Sequence, residues 1–261
     1  MIFTVTTGRS GTMFLASILR LLKGNDCFHE PGNLFNRYFR EALYDQKMVS
    51  KFWLDRKLPE IESYPHNVYI ETSHFFCKGF FEPLLDLGYM PDLVLLSRNK
   101  REVARSLLKL RTIPGRTPTG IESYLSPDDP GVLKLPDYQS MSDYQLCYWY
   151  CLEIQRRQYE YRSRVAALGG CVVPISFDDL INIQYSLPYL RQSLQLQSLS
   201  VSGRIKFLYK IIRPQKLNDK KDQKSDLKAT SPNFQGEERQ LIKYLSEYND
   251  LKFIDYFNDS F

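Results

Sequence analysis

TVTTGRSGTMFLASIL, residues 4–19, is the stretch whose reading decides the fold. A β-branched run ends in Gly-Arg-Ser-Gly-Thr, and Phe14, Leu15, Ile18, Leu19 and Leu22 then recur at helical spacing. The pattern is strand, tight turn, helix. Such a turn presents backbone N–H groups at a helix N-terminus, where unpaired amides and the helix dipole both favour an anion. Gly8 and Gly11 permit the turn and a close backbone approach. Arg9 adds a permanent, planar cation suited to phosphate or sulfate oxygens, and Ser10 and Thr12 add hydroxyl donors. The nucleoside-triphosphate loop G-x-x-x-x-G-K-[ST] is absent, because no Gly-Lys-Ser/Thr follows. The lysine that reaches the β- and γ-phosphates is missing, as is the hydroxyl that holds Mg²⁺. The loop therefore suits an anion of fewer charges with no obligatory metal.

Further short β-branched or apolar runs lie at Val68 to Glu71, Leu93 to Ser97 and Cys171 to Ile175, and CFHEP, 27–31, reads as the end of a second strand. Helical periodicities lie between them: Val103, Leu107 and Leu110 form one stripe, and Ser142 with Gln145 spells a capping box opening a long helix. Continuous apolar strands alternating with helices predict an α/β fold with a central parallel sheet flanked by helices on both faces. Residues 113–140 carry five prolines and three glycines and read as a long loop, a candidate lid. The expected organisation is an α/β domain over 1–212, a polar Lys-rich linker over 213–233 and a helical segment over 234–261 that packs on the domain.

The 43% hydrophobic content supports a substantial core, and the net charge of +5 suits anionic ligands without calling for nucleic acid. Five cysteines show no CxxC or Cys/His spacing, so free thiols and no metal site are expected. No apolar run reaches the ~20 residues of a membrane helix. With no leader pattern read at the start, the expectation is a cytoplasmic protein without a transmembrane segment.

LVLLSRNKREVARSLL, 93–108, puts Arg98 at the end of an apolar strand, the edge where open α/β sheets bind ligands, and Ser106 about two turns into the helix that follows. The pair TTGRSGT and LLSRNKREVARSL is similar to the sulfotransferase family, whose members use 3′-phosphoadenosine 5′-phosphosulfate (PAPS) as donor. The HEP after the second strand most resembles bacterial enzymes that sulfate carbohydrates or glycolipids. The resemblance implies a P-loop NTPase-like sulfotransferase architecture over about residues 1–180. By it, Gly8, Arg9, Ser10, Gly11, Thr12 and Met13 would hold the 5′-phosphosulfate, and Arg98 and Ser106 the 3′-phosphate. VVPISFDDLI, 172–181, resembles a late strand-plus-acidic segment to which no catalytic role is assigned.

Sulfuryl transfer to an alcohol needs a base for the hydroxyl and positive charge for the departing phosphate. The resemblance assigns the base to Glu30, with His74 in IETSHFF as its rival, and Arg9 offsets charge on the leaving bisphosphate. The plain reading of Glu30 is that it favours the N-terminus of the helix after Pro31. His66 has no evident partner. The expectation is a sulfotransferase moving a sulfuryl group from PAPS to a hydroxyl of a carbohydrate or glycolipid. The alternatives are a P-loop nucleotide kinase-like enzyme and a non-catalytic nucleotide-binding protein of the same fold. The aromatic segment NRYFREALYDQKMVSKFW, 36–53, and the 113–140 span are candidates to line the acceptor site by position alone, with ordinary core packing the commoner role for such aromatics.

Overall fold

The computed structural model describes residues 1–212 and 233–254. The first half runs β1 (Ile2–Val5), α1 (Thr12–Leu19), β2 (Asn25–Phe28), α2 (Leu34–Ala42), α3 (Gln46–Phe52), α4 (Leu58–Glu62), β3 (Val68–Glu71) and α5 (Phe81–Asp86). The second half runs β4 (Asp92–Ser97), α6 (Lys100–Lys109), α7 (Pro118–Ser123), α8 (Asp143–Ala167), β5 (Val172–Ser176), α9 (Phe177–Ile181), α10 (Ile183–Ser193), α11 (Val201–Ile212) and α12 (Phe234–Ser246). The strands form one sheet in the order β2-β3-β1-β4-β5, and every pairing is parallel.

Strand residues alternate between two cores, as the twofold period of a strand requires. Phe3, Val5, Tyr69, Leu93 and Leu95 face one core, which also buries residues of α2, α6 and α8. Ile2, Ile70, Val94, Leu96, Val173 and Ile175 face the other, filled from α1 and α10. The first core is dense in aromatics: Phe3 stacks on Phe76 at 4.3 Å between centroids and meets Trp53 edge-on at 5.8 Å. β1 and β4 are neighbours, yet α1 leaves β1 for one face and α6 leaves β4 for the other. That reversal opens a crevice at the carboxyl edge of the sheet, where α/β proteins bind ligands.

Local chemistry sets the helix starts. Ser142 and Gln145 form the reciprocal capping box at the head of α8, and the Asn99 side chain accepts from the Arg101 and Glu102 amides at the head of α6. α12 packs on α8: Arg101 makes two bonds to Glu238, at 2.8 and 2.7 Å, and Phe234 lies 4.2 Å from the Tyr144 ring. The Arg101 bonds hold the Glu238 carboxyl below its ordinary pKa. The stretch expected as a linker, 213–233, lies outside the described residues except Asn233, which caps α12 through the Gly236 amide.

Three expectations change. Residues 113–140 are not an open loop: Thr117 caps α7, Pro118 takes its first position, and Ile113, Tyr124, Leu125, Leu133 and Leu135 are buried in the core. In the 36–53 segment Phe39, Val49, Phe52 and Trp53 are core residues rather than a lining, although Arg40 reaches out to hold Asp129 through both carboxylate oxygens. His66 does have a partner, the Asp26 carboxylate at 2.9 Å. All five cysteines are free, four of them buried, and no described helix is long and apolar enough to cross a membrane.

Candidate functional site

The loop after β1 is built for close approach. Arg9 and Gly11 both have positive φ, 68° and 96°, and a Cβ at Gly11 would lie 2.6 Å from the Phe177 ring. Only glycine fits there. The loop hands over to α1 without a side-chain cap and without an acidic residue in the first turn. The helix N-terminus thus keeps its positive end uncompensated by side chains. Thr7 and Ser10 hydrogen-bond to each other through their hydroxyls, and the Gly8 amide donates to Tyr150 Oη at 3.3 Å. Met13 is 62% exposed.

Arg98, at the end of β4, donates to the Arg9 carbonyl at 3.0 Å, so the two sequence motifs meet directly. Its other edge engages Glu102 at 3.0 and 3.1 Å, and its guanidinium lies 4.5 Å from the centre of the Phe177 ring. Ser106 does not join Arg98. Its Oγ accepts instead from Arg9 Nε at 3.3 Å, so α6 leans toward the β1 loop. A cavity of about 570 Å³ opens on the Arg98 side, bordered by Thr7, Ser97, Arg98, Arg101, Phe177 and Asp179; Arg9, Ser106, Glu30 and His74 do not line it. Its size is that of a small-ligand pocket.

The second cluster stands on the other side of Gly8. Glu30 sits at φ 46° at the N-cap of the single 3₁₀ turn Pro31–Asn33, as the plain reading placed it, but its side chain makes no capping bond. Its Oε1 is buried without a hydrogen-bond partner and lies 3.7 Å from His74 Nε2. The two candidate bases therefore face each other. His29, next door, turns away and places Nδ1 2.7 Å from the Thr72 carbonyl. His74 Nδ1 meets Lys78 Nζ at 2.7 Å, and burial together with the Lys78 charge holds His74 well below its ordinary pKa. Lys78 is fully buried, and burial pushes its pKa down to about 7.

Tyr124 joins the halves. Its ring stacks on His74 at 5.6 Å and packs against Gly8, where a Cβ would come within 2.8 Å of it. It also meets the Tyr150 ring at 5.0 Å. Sequence reading found the loop, Arg98, Ser106, Glu30 and His74 but missed Lys78, Tyr124, Tyr150 and Phe177. The Thr-Pro at 117–118 is a helix-start signal that announced α7 and hence the placement of Tyr124; the other three carry no local signal.

No family model matches the sequence, and no curated protein matches it.

Proposed function

We propose that the protein is a sulfotransferase that moves a sulfuryl group from PAPS to a hydroxyl of a carbohydrate or glycolipid. The observation that carries this reading is the buried, unpartnered Glu30 Oε1 facing His74, one tyrosine away from an uncapped helix N-terminus flanked by two arginines. An anion-holding edge beside a free carboxylate is what in-line transfer to an alcohol requires. On this reading Glu30 takes the acceptor proton as the acceptor oxygen forms its bond to sulfur. The bond from sulfur to the donor's phosphate oxygen breaks, and the departing oxygen keeps the electron pair. Arg9 and the first-turn amides of α1 stabilise that developing charge. Arg98, at the end of the neighbouring strand, stands on the side assigned to the 3′-phosphate, whereas Ser106 is bonded to Arg9 and is not part of that assignment. On this reading His74 orients Glu30 rather than replacing it, because its Nδ1 is occupied by Lys78 Nζ and its Nε2 faces the Glu30 carboxylate.

The test is Glu30→Gln, with consumption of PAPS followed in the presence of a pool of glycan and glycolipid alcohols. Nucleotide binding should persist while turnover falls by roughly 10²–10⁴-fold, the usual contribution of a general base. Near-normal turnover in Glu30→Gln with none in His74→Ala would transfer the role to His74. Mg²⁺-dependent ATP hydrolysis without PAPS turnover would favour the kinase-like alternative instead.

A further inference from the structure

Lys78 is an unusual place for a lysine. It is fully buried between α2, α7 and α8, and among the described residues it forms no ion pair with a carboxylate. Its Nζ is 5.3 Å from the centre of the Phe39 ring, 4.8 Å from Phe75, 5.0 Å from Tyr124 and 5.2 Å from Tyr150. Those ring faces attract a cation, but a buried ammonium still needs acceptors for its hydrogens. Two polar atoms meet it, the Ser123 carbonyl at 2.7 Å and the imidazole nitrogen His74 Nδ1 at 2.7 Å. A carbonyl can only accept. An ammonium has three hydrogens and no lone pair, so it can only donate to both; a neutral amine could also accept from Nδ1, but the carboxylate facing Nε2 favours the imidazole proton there.

We infer that Lys78 is a positioning residue for the base: by donating to His74 Nδ1 it holds His74 as the Nε2–H tautomer, with that N–H facing Glu30 Oε1. The inference rests on Glu30 as the base in the proposed reaction. His29 supplies an internal contrast. Its Nδ1 faces the Thr72 carbonyl, an acceptor, so it must carry its proton there. Two histidines of one site thus hold opposite tautomers, each fixed by the group behind it. Lys78 also fixes the ring that joins the two clusters, because Ser123, whose carbonyl it holds, immediately precedes Tyr124. Loss of Lys78 would free the imidazole to place a bare nitrogen against the carboxylate, and two acceptors facing each other repel. Glu30 would then lose its orientation while the arginine side of the site kept its contacts.

The chain has three histidines, so ¹⁵N-histidine labelling resolves each ring, with assignment by His66→Gln and His74→Gln. Near neutral pH, long-range proton–nitrogen correlation should show Nε2–H for His74 and Nδ1–H for His29. In Lys78→Met the His74 pattern should change. PAPS turnover should fall by about tenfold, part of the ~10²–10⁴-fold due to the base itself, with affinity for adenosine 3′,5′-bisphosphate unaltered. The wild-type spectrum decides even if Lys78→Met does not fold: His74 protonated at Nδ1 overturns the assignment. So does a folded Lys78→Met protein that keeps both the Nε2–H pattern and full turnover. Near-wild-type turnover of Glu30→Gln is a separate result, which removes the base and leaves the tautomer reading standing.

Discussion

Glu102 competes for the arginine assigned to the 3′-phosphate, and the competition can be measured. Arg98 already directs two N–H groups at the Glu102 carboxylate, at 3.0 and 3.1 Å, and a third at the Arg9 carbonyl at 3.0 Å. A phosphate arriving on the outer edge of Arg98 must displace Glu102. The charge-assisted bond gained contributes about 1.5–3 kcal/mol. The exposed i,i+4 pair surrendered is worth only about 0.2–1 kcal/mol, since the Glu102 side chain is 57% exposed. The net is about 0.5–3 kcal/mol, so adenosine 3′,5′-bisphosphate should bind roughly 2- to 100-fold better than 5′-AMP. Glu102→Gln removes the competitor and should tighten the bisphosphate by up to about fivefold while leaving 5′-AMP unchanged. Arg98→Ala should cancel the bisphosphate advantage, and it should also weaken 5′-AMP slightly because the Arg9 carbonyl loses its donor. Glu102→Gln is therefore the cleaner arm, and isothermal titration of three proteins with two nucleotides is sufficient. Equal affinity of the wild type for both ligands would remove the 3′-phosphate site, and with it the PAPS assignment. A Glu102→Gln gain shared by both nucleotides would show that Glu102 opposes anions at large rather than at Arg98.

Lys78→Met should reshape the pH dependence of stability. Unfolded, the amine holds its proton to the ordinary 10.5, and folded only to about 7, so folding releases a proton between these values and wild-type stability rises with pH. Relative to Lys78→Met the gain should be about 1.4 kcal/mol per pH unit across that window by urea unfolding; parallel curves would mean an ordinary lysine. The charged or titratable neighbours of Lys78 are Glu30, His74, Cys77, Arg157 and Arg40, and the His74 transition lies below this window. Gly11→Ala forces a Cβ into a ring 2.6 Å away at φ 96° and should cost about 1–3 kcal/mol. Adding Phe177→Ala should recover the clash but not the backbone strain, so full recovery in thermal unfolding would deny the strain.

The sequence carried β1, β3, β4 and β5 because each is a short apolar or β-branched run and its period is local, whereas β2, Asn-Asp-Cys-Phe, shows only its end. It carried the start of α8 because Ser142 and Gln145 sit at the spacing of a capping box. It placed the two loop motifs on one sheet edge but as separated sites; they touch because β1 and β4 pair and bring their following loops side by side. It did not carry which arginine Ser106 would meet. Eight residues along a helix fix a height of about two turns, but the tilt of α6 over its neighbours decides the partner. Tertiary packing chose Arg9. Residues 113–140 were misread for a related reason: five prolines signal irregular backbone, yet Pro118 stands where a helix welcomes it.

Lys78 was beyond local reading altogether. In FFCKGFF it is one charge among aromatics, indistinguishable from a side chain that reaches water. Its character comes from Phe39 on α2, the carbonyl that ends α7 and Tyr150 on α8, elements that contact it only once folded. The same elements explain why one tyrosine can join the two halves of the site. α7 is held in place by Lys78 through Ser123, and Tyr124, the next residue, then has only the space between His74 and Gly8. A side chain at Gly8 would expel that ring, and loss of Lys78 would loosen it from the other end. The Tyr124 ring therefore lies between the Gly8 loop and His74 and touches both, while the Arg9–Arg98 contact on the far side of that loop does not depend on it.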